Sequence, residues 1–306
     1  MSVWSRLGQM FSNGAPAAAP SSSVAATGIR SVAGTAAELR VEAGVASDPG
    51  CVRTINEDAL RVVRPTTPDA LAQHGVLAVV CDGMGGHEAG EVASALAMET
   101  IVQRFEADDR ELPLALVRAI KAANRAVYDA SQANVKLRGM GTTCCALVLR
   151  HGSAYCAHVG DSRCYLLRDD EIYLMTEDHS AVMDLVHRRV ISREEASHHP
   201  DKNVISRALG SHSEVEVSSW DQPFAMLPND AFLLSSDGLH DLLSDEEIRD
   251  VACSGSVHAQ VACDRLVTLA RERGGHDNIS VAILRIRADG MEAPAPGATR
   301  AMKVAS

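Results

Sequence analysis

An α+β fold, with antiparallel β-sheets covered by pairs of α-helices, is what this sequence predicts, and three observations predict it. Short apolar runs of strand length cluster as hairpins. Helical patterns come in pairs between and after them. No steady strand–helix–strand alternation runs through the chain, as a doubly wound parallel sheet would require.

The elements follow in order. Residues 12–37 are rich in Ala, Ser, Pro, Gly and Thr and carry almost no charge. Such a stretch buries too little apolar surface to offset its ordering entropy, so residues 1–38 read as a flexible tail. Trp4, Leu7, Met10 and Phe11 within it read either as a frayed end or as a short docking helix. The pattern changes near Arg40, and a folded domain is expected over 39–288, followed by a disordered tail at 289–306. Residues 75–81 form an apolar strand that ends in Asp82. Residues 142–149 and 154–159 read as a hairpin about a polar turn at 150–153, and 164–168 and 171–175 as another about Asp169-Asp170. Residues 231–234 and 278–286 complete the strands. Helical periodicity spans 90–105, with Val92, Leu96, Thr100 and Ile101 or Val102 near one face. It recurs over 112–134, with Leu116, Ile120, Ala123 and Val127 aligned. Two more helices follow Ser244 and Ser256. The first opens with a capping box, Ser244 as N-cap and Glu247 three residues on.

Composition narrows the function classes. Of 306 residues, 46% are hydrophobic, enough for a core, yet only 3% are aromatic. With 29 basic against 40 acidic residues the net charge is −11. A base-stacking nucleic-acid surface needs aromatics and basic charge, so no nucleic-acid partner is expected. The eight cysteines form no C-x-x-C pair and sit mostly in apolar runs, which fits buried thiols in a reducing compartment. No apolar run approaches the roughly 18 residues of a membrane span, and the N-terminus lacks the continuous apolar segment of a signal peptide. A cytoplasmic protein is expected.

The acidic residues are placed unevenly. Arg53-Thr-Ile-Asn-Glu57-Asp58, Asp82-Gly-Met-Gly-Gly-His87, Gly160-Asp161-Ser-Arg163, Ser236-Asp237-Gly-Leu-His-Asp241 and His276-Asp277-Asn278 share one style. Asp82 and Asp237 each follow an apolar strand and each precede glycine. A carboxylate at a buried strand end is costly unless paired or metal-bound. Converging carboxylates raise one another's pKa, and a divalent cation relieves the conflict. Oxygen ligands without a His or Cys cluster suit Mg²⁺ or Mn²⁺. One Asp-Gly pair alone is as readily a plain turn. A structural Ca²⁺ site is the competing reading, but EF-hand spacing is absent.

In order along the chain stand Arg-x-x-Asn-Glu-Asp, Asp-Gly-Met-Gly-Gly-His, Gly139-Met-Gly-Thr-Thr143, Gly-Asp-Ser-Arg, Glu177-Asp-His-Ser180, Arg207-Ala-Leu-Gly210, Ser-Asp-Gly-Leu and Asp-Asn-Ile-Ser. Together they resemble the metal-dependent protein phosphatase family of the protein phosphatase 2C type, in its bacterial branch. The resemblance spans roughly residues 40–287. It implies a sandwich of two antiparallel β-sheets packed face to face with helix pairs outside, and a catalytic role for the 39–288 domain. It implies a serine/threonine phosphatase with two Mn²⁺ or Mg²⁺ ions and a third, weaker site. Asp82 should bridge both ions, with Asp237 and Asp277 completing the first site. Glu57 and the Gly83 carbonyl should serve the second, and Asp58 should hold a metal-bound water. Asp161, with Asp237 and Asp241, resembles the third site. Arg53 should bind the substrate phosphate. Two close metals lower the pKa of a shared water, and the resulting hydroxide attacks phosphorus. Arg53's planar fork suits phosphate oxygens.

The proton for the leaving oxygen has open candidates. His87 is the nearest, metal-bound water is its equal, and His87 can instead cap the helix that follows. His179 reads as ordering the turn at its strand end. Residues 184–203 resemble the family's mobile flap, with Arg189 where relatives often carry glycine. His187, Arg188, Arg189 and Arg193 make it basic. The expected partners are phosphoprotein substrates and a cognate serine/threonine kinase. A phosphatase dedicated to one phosphorylated regulator would normally carry a sensor or linker domain. A catalytically dead binding module would have lost carboxylates that are all present here.

Overall fold

Why the strand-length runs are apolar without alternation becomes clear from how the sheets pack. The structure is a computed structural model that describes residues 39–85, 89–253 and 257–288. The expected tails lie outside the described residues, with Trp4, Leu7, Met10 and Phe11, as do His87 and Ser256.

Two antiparallel sheets carry the fold. One runs β1 (Leu39–Asp48), β13 (Ile279–Ala288), β12 (Ala231–Ser235), β8 (Arg163–Arg168), β9 (Glu171–Leu174). The other runs β10 (Ser218–Ser219), β7 (Ser153–Val159), β6 (Cys144–Arg150), β3 (Val76–Cys81), β2 (Ala59–Val63), with β11 (Phe224–Ala225) also on β7. A short ladder joins β4 (Gly83–Met84) to β5 (Gly141–Thr142).

In β3, Leu77, Val79 and Cys81 pack against the helices on the outside. Their alternates Val76, Ala78 and Val80 are also buried, and with a side-chain period of two they face the other sheet. The thiols of Cys145 and Cys156 on one sheet meet Cys164 on the other. Burial on both faces removes the polar alternation that a half-exposed strand would show. Both predicted hairpin turns form. His151 and Gly152 have φ of 49° and 73°, and Asp169 and Asp170 of 54° and 61°. These are the left-handed pairs that two-residue hairpins favour.

The helices are α1 (Pro68–His74), α2 (Ala89–Glu106), α3 (Leu114–Ala133), α4 (Ala181–His187), α5 (Arg193–Ser197), α6 (Asp237–His240), α7 (Asp245–Ala252) and α8 (Ala259–Glu272). α2 and α3 cover the second sheet, and α7 and α8 the first. The capping box at Ser244 and Glu247 starts α7 as expected.

The face expected for α2 is corrected in part: Ile101 and Val102 are buried and Leu96 packs against the core, but the face is rotated away from Val92. Val92 is exposed, whereas Ala93, Ala97, Met98, Ile101 and Phe105 are buried. Small residues let α2 approach Ala115, Ala119 and Ala123 of α3 closely, and close packing outweighs side-chain hydrophobicity in choosing the face. In α3 the expected Leu116, Ile120, Ala123 and Val127 are all fully buried.

Candidate metal centre

The site gathers at strand ends. Asp82 leaves β3, and its backbone is clasped by the neighbouring threonines. Its N–H donates to Thr143 Oγ1 at 2.9 Å, while its carbonyl accepts from the Thr143 N–H at 2.9 Å and the Thr142 hydroxyl at 2.8 Å. The Gly139–Thr143 motif therefore fixes Asp82 from behind. Gly83 must be glycine because a Cβ there would overlap the carbonyl oxygens of Gly90 and Glu57. Close approach, rather than an unusual φ, is the reason for this Asp-Gly pair. The second pair behaves likewise: a Cβ on Gly238 would overlap the Asn278 carbonyl. Asp237 itself opens α6 directly after β12.

Asn278 organises the loop that carries Arg53, Glu57 and Asp58. Its Oδ1 accepts from the Glu57 N–H at 2.8 Å, and its Nδ2 donates to the carbonyls of Pro49 and Ile55 at 3.1 and 2.9 Å. Asp58 accepts from the Ser236 hydroxyl at 2.8 Å. Asp277 accepts from Arg53 Nη2 at 2.8 Å.

Four carboxylate oxygens in this group are buried without a hydrogen-bond partner among the described residues: Glu57 Oε1, Asp58 Oδ1, Asp161 Oδ1 and Asp237 Oδ1. An unpaired buried carboxylate oxygen is costly. Burial, reinforced by Asp237 and Asp277, pushes Asp58 up to about 7. Burial and Asp237 push Asp161 up to about 7. Burial and Asp277 push Asp237 up to about 6. Burial and the charges of Asp58, Asp237 and Asp161 hold Asp82 well above the usual carboxylate range. Burial also raises Glu57. The carboxylates thus repel one another, and divalent cations with oxygen preference would relieve them. Among the described residues no three His, Cys, Asp or Glu side chains are placed so that together they could hold a metal ion. The fit to Mg²⁺ or Mn²⁺ rests on the four partnerless oxygens and on an all-oxygen donor set. The residues present fit such ions.

The structure thus joins Glu57, Asp58, Asp82, Asp161, Asp237 and Asp277 in one electrostatic group, with Gly83 beside Glu57 and Arg53 on its rim. Arg53 is half-exposed, and Asp277 raises its already high pKa. Asp241, expected beside the third site, faces the flap. Both its oxygens are taken by the flap, one by Lys202 Nζ at 3.1 Å and one by Asn203 Nδ2 at 2.6 Å. A cavity of about 310 Å³ lies between the flap and Asp161, Asp237 and Asp241.

His179 sits behind Asp161. Its Nδ1 accepts from the Gly160 N–H at 3.0 Å, its Nε2 meets the Ser218 hydroxyl at 2.9 Å, and its ring stacks on His158 at 4.7 Å. Burial and the His158 ring push its pKa down to about 3. It is a neutral brace for the turn. Asn278, Ser236 and Thr143 went unassigned in the sequence. Their motif positions were visible, but nothing in one-dimensional spacing says which carboxylate or loop each would hold.

The sequence model of the family described as Protein phosphatase 2C matches residues 52–279. The serine/threonine phosphatase stp of Listeria monocytogenes serotype 4b is 34% identical over 243 residues, covering 78% of this chain and 93% of its own length. The crystal structure of the Mycobacterium tuberculosis serine/threonine phosphatase PstP/Ppp superposes with a TM-score of 0.72 at 35% identity, over 81% of this chain and 99% of that one. The catalytic domain of PstP in complex with two manganese ions superposes with a TM-score of 0.68 at 33% identity, over 82% of this chain and 100% of that one.

Proposed function

The chain belongs to the protein phosphatase 2C family, among its bacterial serine/threonine phosphatases, and on that premise we propose that its carboxylate group holds two Mn²⁺ or Mg²⁺ ions for hydrolysis of phosphoserine and phosphothreonine in proteins. The observation that carries the reading is the set of four buried carboxylate oxygens left without partners among the described residues.

Asp82 would help to hold both ions. Asp237 and Asp277 would complete one site, and Glu57 with the Gly83 carbonyl the other. Asp161 and Asp237 would offer a weaker third position, which Asp241 could join only by giving up Lys202 and Asn203. When bound, the ions supply an activated water for in-line attack and screen the charge of the phosphoryl group. The remaining work falls to the chain. Asp58, steadied by the Ser236 hydroxyl on one oxygen, has its other oxygen free to accept from the attacking water and aim it. Arg53 at the rim offers its fork to the phosphate oxygens. His87, or a water in its place, would protonate the leaving serine or threonine oxygen. His179 is not available for that, since both its ring nitrogens are engaged.

A phosphoprotein substrate implies a kinase that supplies it, so this enzyme would oppose a serine/threonine kinase. We place it in the cytoplasm, where its eight free cysteines would stay reduced. No helix among the described residues is long and apolar enough to cross a membrane.

The test compares hydrolysis of a phosphothreonine peptide and a phosphotyrosine peptide, each with Mn²⁺ and with EDTA. Mn²⁺-dependent release from phosphothreonine, weak from phosphotyrosine and silenced by EDTA, is the expected result. No release with Mn²⁺ from a folded protein would return the binding-module reading.

A further inference from the structure

The flap leaves and rejoins the body at one point. Ala181 N–H donates to the Val204 carbonyl, and Ser206 N–H to the His179 carbonyl. Within it, α4 ends at Arg188, and Arg189 stands at φ 59°. The Arg189 N–H returns to the Val186 carbonyl and the Val190 N–H to the Leu185 carbonyl, both at 2.9 Å. This paired helix stop requires a left-handed residue, and glycine is its usual occupant. An arginine there is strained.

Nothing inside the described chain returns that cost. His187 and Arg193 are both held by Glu177. Arg188 and Arg189 are exposed, and among the described residues no carboxylate or carbonyl accepts from either guanidinium. Two adjacent, unpaired cations stand out on a chain of net charge −11. Strain without an internal benefit, next to a reaction site, points to a ligand.

Position defines the ligand. Val182 and Met183, at the start of α4, line the cavity that also holds Asp161 and Asp237. A seven-residue helix is about 10 Å long, so the two arginines stand roughly that far from the cavity wall. An extended peptide advances about 3.3 Å per residue.

We propose that Arg188 and Arg189 select phosphoprotein substrates that carry a second anionic group, an acidic side chain or a second phosphoryl group, about three to five residues from the phosphate being removed. Guanidinium forks match both groups. Exposed pairs of this kind act on capture of the substrate more than on chemistry. The inference rests on the phosphatase reading and names a feature of its substrates.

The test uses phosphothreonine peptides that differ by a single Glu or Gln at each flanking position, with a third set carrying a non-hydrolysable phosphonate there. For the wild type at low salt, the best Glu peptide is expected to exceed its Gln partner by about fivefold in kcat/KM, through KM. A stronger effect of phosphonate than of Glu assigns a second phosphoryl group, and the reverse assigns an acidic side chain. In the double variant Arg188→Gln/Arg189→Gly the ratio should fall to near one, while Arg189→Lys keeps part of it. The glycine suits the left-handed turn, so a lost preference does not reflect a lost fold. A ratio of one at every position in the wild type, or one that survives the double substitution, overturns the proposal. Wild-type hydrolysis of p-nitrophenyl phosphate separates the layers. Its failure sinks the phosphatase reading and this one with it, whereas hydrolysis without anion preference sinks only the flap inference.

Discussion

Arg53 Nη2 donates to Asp277 Oδ2 across 2.8 Å, and the other oxygen of Asp277 accepts from the Asn278 N–H at 2.8 Å. The guanidinium proposed to bind phosphate and the carboxylate proposed to hold an ion are therefore each other's partners. On the proposed reading, an ion on Asp277 would take over its charge and leave Arg53 to turn to substrate.

Arg53→Ala should act on both sides of that exchange. KM for a phosphothreonine peptide should rise on the order of tenfold, the scale of one charge-assisted hydrogen bond, with kcat changed less. Calorimetric Mn²⁺ affinity should increase, because the competitor for Asp277 is gone. An unchanged KM would point to a different phosphate anchor.

The stability of the metal-free protein should depend on pH in a stated direction. Asp58 and Asp161 at about 7 and Asp237 at about 6 lie above their ordinary 3.8. A raised carboxylate binds protons more tightly in the fold, so its stability is present at low pH and is lost as pH rises through about 6 to 7. Between pH 6 and 8 each should cost on the order of 1 kcal/mol. His179 acts oppositely. Its pKa falls from 6.5 to about 3, so its contribution is present above 6.5 and is lost as pH falls toward 3. Thermal melts in EDTA should fall between pH 6 and 8, and Asp58→Asn should flatten that fall. A melting temperature that rises over this interval would contradict the carboxylate crowding.

Asn278→Ala should be strongly destabilising for a single polar truncation. The side chain is 5% exposed and makes three hydrogen bonds to the loop of Arg53 and Glu57. Leaving a buried N–H and two carbonyls unpaired should cost about 2–4 kcal/mol. Denaturant unfolding would measure it, and a cost under about 0.5 kcal/mol, the range of a plain surface change, would show that the loop holds itself.

Arg189→Gly should stabilise the protein. Glycine removes the left-handed strain, worth about 1 kcal/mol. A loss of stability would mean that the Arg189 side chain has a structural partner after all.

Much of this was legible in the sequence, for identifiable reasons. The hairpins announced themselves because their turns need residues tolerant of positive φ, as His151-Gly152 and Asp169-Asp170 provide. The Asp-Gly pairs marked the site because a carboxylate at a buried strand end needs an explanation wherever it occurs. The packing face of α2 was misread because Ala93 and Ala97 score low as hydrophobic residues yet govern how closely two helices approach. The motif places Asp241 beside the expected third site but does not show that Lys202 and Asn203, nearly forty residues earlier, bond both its oxygens. Such long-range partners leave no local pattern, and the same holds for Asn278 and Ser236.

The most direct measurement is phosphate release from a phosphothreonine peptide by the wild type and by Asp82→Asn, each across a Mn²⁺ titration. Asp82 is the one carboxylate assigned to both ions, and burial with three neighbouring acids holds its pKa up. The expected result is wild-type turnover that rises with Mn²⁺ and saturates. Asp82→Asn should stay nearly inactive at every concentration while remaining folded, with a metal-free melting temperature at or above that of the wild type. Wild-type turnover by Asp82→Asn in saturating Mn²⁺ would contradict the two-ion centre.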